Sequence, residues 1–125
     1  WTKNQIKNNF DVIEYKQISK FNKQDAMKQL SLDESTVDML LDNLFLTLDS
    51  DIENLQKAID DKNSDHIVKF SHYIKGACSS LAMNEASLIL EDIEKKALKG
   101  EVDFNLDELK SIIKDIKNSL WDKKN

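Results

Sequence analysis

A chain of 125 residues, 40% hydrophobic and 33% charged, is the size of one domain and can build a core. Its net charge of −5, with both signs present, argues against nucleic acid as the main partner, because phosphates require a basic face. No apolar run approaches the roughly 18 residues of a membrane span, and no signal-peptide pattern is present.

With no proline and only Gly76 and Gly100 as glycines, the turns of a β-rich fold lack their usual residues. The expectation is an all-α domain. Residues 1–20 are polar, with scattered Ile6, Phe10, Val12, Ile13 and Ile18 and no sustained period. They read as a linker or a loosely packed arm. Asn22, with Asp25 three residues on, predicts a capped short helix over 23–30 that buries Ala26, Met27 and Leu30.

Ser31-Leu32-Asp33-Glu34 has the form of a capping box. Val37, Leu40, Leu41, Leu44, Phe45, Leu48, Ile52, Leu55 and Ile59 follow at helical spacing. The pattern predicts a helix over about 33–61, with Asp49-Ser50-Asp51 placed to bend it. At about 28 residues and 1.5 Å each, this helix overhangs its partners, and the short leading helix is available to cover the overhang.

The break at 60–64 opens a helix over about 64–81, burying Ile67, Phe70, Ile74, Ala77, Cys78 and Leu81. Asn84 is the expected cap of a helix over about 85–99, with Ala86, Ile89, Leu90, Ile93 and Ala97 inward. Lys95, Lys96 and Lys99 near its end suit the helix dipole, and Gly100 suits the residue after the cap. Asn105 and Glu108 announce a last helix over about 106–121, with Leu106, Leu109, Ile112, Ile113, Ile116 and Leu120 inward. Short connections place these four helices in an antiparallel up-down bundle, with a short extra N-terminal helix. The bundle spans 21–122.

On the third of these five helices, at 100° per residue, His72 lies about 160° from Phe70 and Ile74. It therefore faces solvent. Val68, Lys69, Lys75, Gly76 and Ser79 surround it at i−4, i−3, i+3, i+4 and i+7. A glycine inside a helix costs about 1 kcal/mol relative to alanine. Here it removes bulk beside an exposed imidazole.

Neutral imidazole carries a lone pair on one nitrogen and a proton on the other. The pattern therefore suits phosphorylation of His72. Lys75 and Lys69 can neutralise phosphoryl charge, Ser79 can donate a hydrogen bond, and Gly76 and Val68 give a docking partner access. His66 and His72, six residues apart, lie on different faces of the helix and do not form a metal site. No nucleotide loop, metal cluster or nucleophilic triad is present, so a free-standing enzyme is not expected. The single cysteine, Cys78, excludes an internal disulfide and points to a reducing compartment. The start at Trp1 rather than methionine reads as a piece of a longer protein.

His72-Tyr73-Ile74-Lys75-Gly76, followed by small residues and Leu81, resembles the signature of histidine phosphotransfer (HPt) domains. The likeness extends over about 20–120. It includes Asn22 to Leu48, Leu55-Gln56-Lys57-Ala58-Ile59 with Asp65, and Ile93-Glu94, where the family often carries Glu or Gln near the histidine. One departure is Ala82, where the family usually has a second glycine.

The resemblance implies response-regulator receiver domains as partners. His72 would be the phospho-acceptor, taking a phosphoryl group from one receiver aspartate and passing it to another in a His–Asp phosphorelay. It implies a phosphocarrier without cofactor, with Mg²⁺ on the receiver, and Glu94 as a possible neighbour of His72. A cytoplasmic place is expected, at the end of a hybrid sensor kinase, without membrane contact by this domain. Two alternatives stand beside it: a non-catalytic helical adaptor, and a domain phosphorylated directly by the ATP-binding domain of a kinase, which could belong to the same chain.

Overall fold

The computed structural model describes residues 21–124, with side chains placed through residue 119. The expectations for the arm 1–20, and for the side chain of Leu120, lie outside the described residues. Five helices follow in order: α1 (Lys23–Leu30), α2 (Glu34–Asp60), α3 (Ser64–Ser80), α4 (Asn84–Leu98) and α5 (Asp107–Lys124). No strand occurs among the described residues.

Helix α1 starts as its sequence predicts. The Asn22 Oδ1 accepts from the backbone N–H groups of Gln24 at 2.8 Å and Asp25 at 3.2 Å. The start of α2 differs from expectation. Ser31 closes α1 in a left-handed conformation, with φ 57°. A residue in that conformation cannot also serve as an N-cap, which needs extended backbone. Asp33 takes the position instead and accepts the Thr36 N–H at 2.8 Å. Glu34, freed from a capping box, pairs with Lys23 at 3.0 Å.

Helix α2 runs unbroken through Asp49-Ser50-Asp51. Val37, Leu41, Leu48, Ile52, Leu55 and Ile59 are buried, while Leu40, Leu44 and Phe45 are half-buried against the core. Its 27 residues span about 40 Å, against about 26 Å for the 17 of α3. The two helices share the turn at 61–63, so the excess length lies at the N-terminal end of α2. Helix α1 packs there. Ala26 is buried, and Lys23 Nζ reaches both Glu34 and, at 3.1 Å, Asp38.

The turns are made at helix C-termini. After α1, α2, α3 and α4 the chain enters the left-handed region at Ser31, Lys62, Ala82 and Gly100. Each end closes with the paired Schellman bonds. After α3, for example, Met83 N–H donates to Cys78 O at 3.0 Å and Ala82 N–H to Ser79 O at 3.1 Å. Gly100 fills the position its sequence predicts. The other three are filled by residues that carry a Cβ, which explains how four tight ends coexist with two glycines.

Asn84 is the first residue of α4 and not its cap. The chain passes directly from the closure of α3 into α4. Met83 occupies the cap position without a side-chain bond: its thioether is a poor acceptor and packs in the core. Asn105 behaves as expected at the last helix, its Oδ1 accepting from Asp107 N–H at 2.7 Å.

Three contacts establish the antiparallel order. Lys62, between α2 and α3, meets Asp103, between α4 and α5, at 3.1 Å, so those two connections share one end of the bundle. Lys117 Nζ bonds both carboxylate oxygens of Asp49 at 2.8 and 2.9 Å and lies 5.5 Å from the centre of the Phe45 ring, joining α5 to α2. Ser79 and Ser87 meet at 2.8 Å across the α3–α4 turn. The result is an antiparallel up-down four-helix bundle, α2 to α5, with α1 across the overhang. Phe70 and Ala77, expected inside, are only half-buried; Ser71 takes the buried position between them.

Candidate functional site

His72 sits near the middle of α3 with its side chain 68% exposed. Its orientation follows from the helix. Ile67, Ser71, Ile74 and Cys78 face the core, which turns His72 outward along the border with α4. Ser71 is polar yet fully buried. Its Oγ–H is satisfied within the helix, 2.6 Å from Ile67 O and 3.1 Å from Val68 O. The apolar stripe gave no signal for a buried serine here.

Across the α3–α4 border lies Glu94, 15% exposed. Its Oε2 is 2.8 Å from His72 Nδ1, and its Oε1 accepts from Lys75 Nζ at 2.7 Å. Burial would raise the Glu94 pKa. The hydrogen bonds and charges of Lys75 and His72 outweigh burial and hold it below the usual glutamate range. The carboxylate is therefore ionised near neutral pH. An ionised carboxylate only accepts hydrogen bonds, so Nδ1 carries the imidazole proton. The lone pair is left on Nε2, on the exposed side chain.

The other residues expected around His72 divide. Lys75 is 26% exposed, and its ammonium is engaged by Glu94. Lys69 is exposed and has no ion pair among the described residues. Ser79 is exposed, and its Oγ–H donates to Ser87 Oγ. Val68 is half-buried against the core. Gly76 is exposed, and a Cβ built on it meets nothing within 4 Å. The glycine is not a packing notch between helices; it leaves an open strip one turn after His72.

His66 stands apart. Its backbone N–H is capped by Asn63, and its ring meets Phe70 edge-on at 6.0 Å. Cys78 is buried, and burial pushes its thiol up to about 12. It takes no part in the surface. No group of three or more His, Cys, Asp or Glu able to hold a metal ion occurs among the described residues.

The linking of Lys75 to Glu94 was not legible from the spacing on α3 alone. The tight turn supplies the missing signal. Met83 is its centre: Ser79 and Ser87 lie four residues to either side and make contact, and His72 and Glu94 lie eleven to either side and make contact.

The site is an exposed imidazole on an antiparallel helix bundle, held at its inner nitrogen by a carboxylate of the neighbouring helix. Residues 39–119, about two thirds of the chain, match the family described as Hpt domain. The chain belongs to that family. Hpt domains carry phosphoryl groups on histidine in phosphorelays and interact with receiver domains; they are carriers rather than catalysts. Neither the curated proteins nor the solved structures include a match. Among the described residues, no helix is long and apolar enough to cross a membrane.

Proposed function

We propose that His72 is the phospho-acceptor and that Nε2 is the atom that reacts. The observation that carries this reading is the 2.8 Å contact between Nδ1 and Glu94, which fixes the proton on the inner nitrogen. The Nε2 lone pair attacks the phosphorus of an aspartyl phosphate on a receiver domain. A P–N bond forms as the P–O bond to the aspartate breaks, and the carboxylate leaves with the electron pair. The imidazole ring then carries a positive charge, which Glu94 stabilises through the Nδ1–H bond. Attack by a carboxylate of a second receiver reverses these steps.

Mg²⁺ belongs to the receiver in this reading, and the carrier supplies no cofactor. Gly76 and Val68 admit the receiver surface. Lys69 is the readiest cation for the phosphoryl oxygens. Lys75 contributes after shifting part of its hydrogen bonding from Glu94, and Ser79 contributes by turning from Ser87. The lone buried thiol fits a reducing setting; a cytoplasmic place within a two-component sensor kinase system is what the family membership suggests.

The test is incubation with a phosphorylated receiver. Wild-type chain should gain phosphate that is labile to acid and stable to base, and His72→Gln should gain none. Equal labelling of His72→Gln would end this reading. Labelling by a kinase ATP-binding domain with no receiver present would support direct phosphorylation instead.

A further inference from the structure

The border between α3 and α4 sets two unlike neighbours on either side of His72. The register about Met83 pairs Ser79 with Ser87 at four residues to either side, and His72 with Glu94 at eleven. At fifteen to either side it sets Val68 opposite Leu98. Each of these lies four residues from the His72–Glu94 pair, about 40° around its helix and about 6 Å along it. The polar groups of this border satisfy one another: Ser79 bonds Ser87, and Glu94 takes both His72 and Lys75. Val68 and Leu98 leave apolar surface instead. Val68 is half-buried, and Leu98, the last residue of α4, is 68% exposed.

A single exposed leucine is ordinary on a protein surface. Leu98 is set apart by its place. Ala97 fills the core at this level, and Lys99 and Gly100 close the helix, so neither draws on the leucine side chain. Leu88, the other exposed leucine of α4, lies about 120° around the helix from Glu94 and lines the groove toward α5. Toward the C-terminus of α3, Gly76 leaves an open strip beside His72. The histidine therefore has clearance one turn to that side and an apolar patch one turn to the other.

Hpt domains interact with receiver domains, and a receiver that reaches His72 spreads over the surface around it. Even a transient interface buries about 600 Å² on each partner, a disc roughly 14 Å in radius. Leu98 lies about 6 Å from His72 along the helices and one helix spacing, about 8–10 Å, across them, which is inside that disc. Apolar side chains there are covered and desolvated when the partner docks.

We propose that Leu98, with Val68 beside it, is the apolar anchor of the receiver on this domain, setting affinity without touching the reacting atoms. The partner it fits is a receiver with an apolar patch roughly 10 Å from its phosphorylated aspartate. This rests on His72 as the phospho-acceptor.

The test measures phosphotransfer across concentrations of a phosphorylated receiver that labels the wild-type chain. Leu98→Gln keeps the length and helix propensity of the side chain, so Tm should be unchanged. It should raise the receiver concentration for half-maximal transfer about tenfold. The rate at saturation, and the rate from phosphoramidate, should stay at the wild-type level. Leu98→Met should retain wild-type behaviour, and so should Leu88→Gln on the other flank of α4. An unchanged half-maximal concentration in Leu98→Gln, an equal rise in Leu88→Gln, or a loss with phosphoramidate would overturn the proposal. Failure of every receiver to label the wild-type chain would instead overturn the role of His72, and the proposal with it.

Discussion

Glu94 Oε2 lies 2.8 Å from His72 Nδ1, and through that contact a residue on α4 determines which nitrogen of a residue on α3 carries the ring proton. The same carboxylate takes Lys75 through its other oxygen. A glutamine at this position replaces one of the two acceptor oxygens with an NH2 donor, so one of the two bonds Glu94 accepts on separate oxygens is replaced by two donors facing each other. Glu94→Gln should release the tautomer and the ring orientation together. A hydrogen bond to a charged group is worth about 1.5–3 kcal/mol, so the phosphotransfer rate to His72 should fall about tenfold or more. Nitrogen NMR of the imidazole should show a mixture of tautomers in the variant. An unchanged rate with a single tautomer would remove Glu94 from the site.

The depressed Glu94 pKa gives the pH dependence a definite sign. Its folded-state value lies below the ordinary 4.5, so the carboxylate stabilises the fold above that pH. The contribution is lost as pH falls through the folded-state value. The difference in Tm between wild type and Glu94→Gln should therefore be full at pH 6–7 and shrink below about pH 4.5. A difference that grows on acidification would contradict the ionised Glu94 that holds the imidazole proton on Nδ1.

Lys23 ties α1 to α2. Its side chain is 8% exposed and bonds both Glu34 and Asp38. The Glu34 bond is the largest cause of its raised pKa, which the Asp38 bond and both charges also raise against the opposing effect of burial. A raised lysine stabilises the fold below its unfolded value of 10.5 and ceases to do so as pH rises through the folded one. Lys23→Ala should cost about 1.5–3 kcal/mol in urea unfolding near neutral pH. Phosphotransfer should be unchanged, because α1 lies at the overhang of α2 and away from His72. A loss of transfer at intact stability would show that α1 contributes to the docking surface.

The apolar stripes of all four long helices were legible because an amphipathic period depends on residue type alone. The outward direction of His72 followed from the same wheel. Two helix starts differ from the caps the sequence suggests, because helix ends are decided by neighbours. Ser31 is committed to closing α1, and Met83 is held by core burial, so neither Ser31 nor Asn84 could act as a cap. Phe70 and Ala77 lie at the edge of the buried face, where the wheel does not separate inside from border. The Glu94–Lys75 bond needed the register of the α3–α4 hairpin, which a single helix does not contain.

Left-handed helix ends without glycine leave stability to be gained. Ala82 holds φ 61° after α3, a conformation that costs a residue with a Cβ about 1–2 kcal/mol. Glycine removes that cost and adds about 0.4–1 kcal/mol of unfolded-state entropy. Ala82→Gly should therefore stabilise the domain by about 0.5 kcal/mol, and Gly100→Ala, at φ 94°, should destabilise it by about 1 kcal/mol. This also gives a physical reason for the glycine that the resemblance places at position 82. Denaturant midpoints at constant slope would measure both changes. A loss of stability in Ala82→Gly would mean that the buried methyl outweighs the backbone.

Gly76 separates the needs of folding from those of docking. A Cβ there meets nothing within 4 Å, so Gly76→Ala should gain the helix propensity that glycine forgoes, about 0.5–1 kcal/mol. The bundle alone would favour alanine. On the present reading the glycine keeps clear the surface one turn beyond His72, where the receiver must approach Nε2. Gly76→Leu should therefore fold at least as stably as wild type but accept phosphate from a receiver at least tenfold more slowly, about 1.4 kcal/mol in the barrier. Small phosphoryl donors such as acetyl phosphate or phosphoramidate need little surface around the histidine, and their transfer should be affected much less. The ratio of the two rates distinguishes a blocked docking face from a damaged histidine. If Gly76→Leu slows both donors equally, the glycine acts on the imidazole itself and not on access to it.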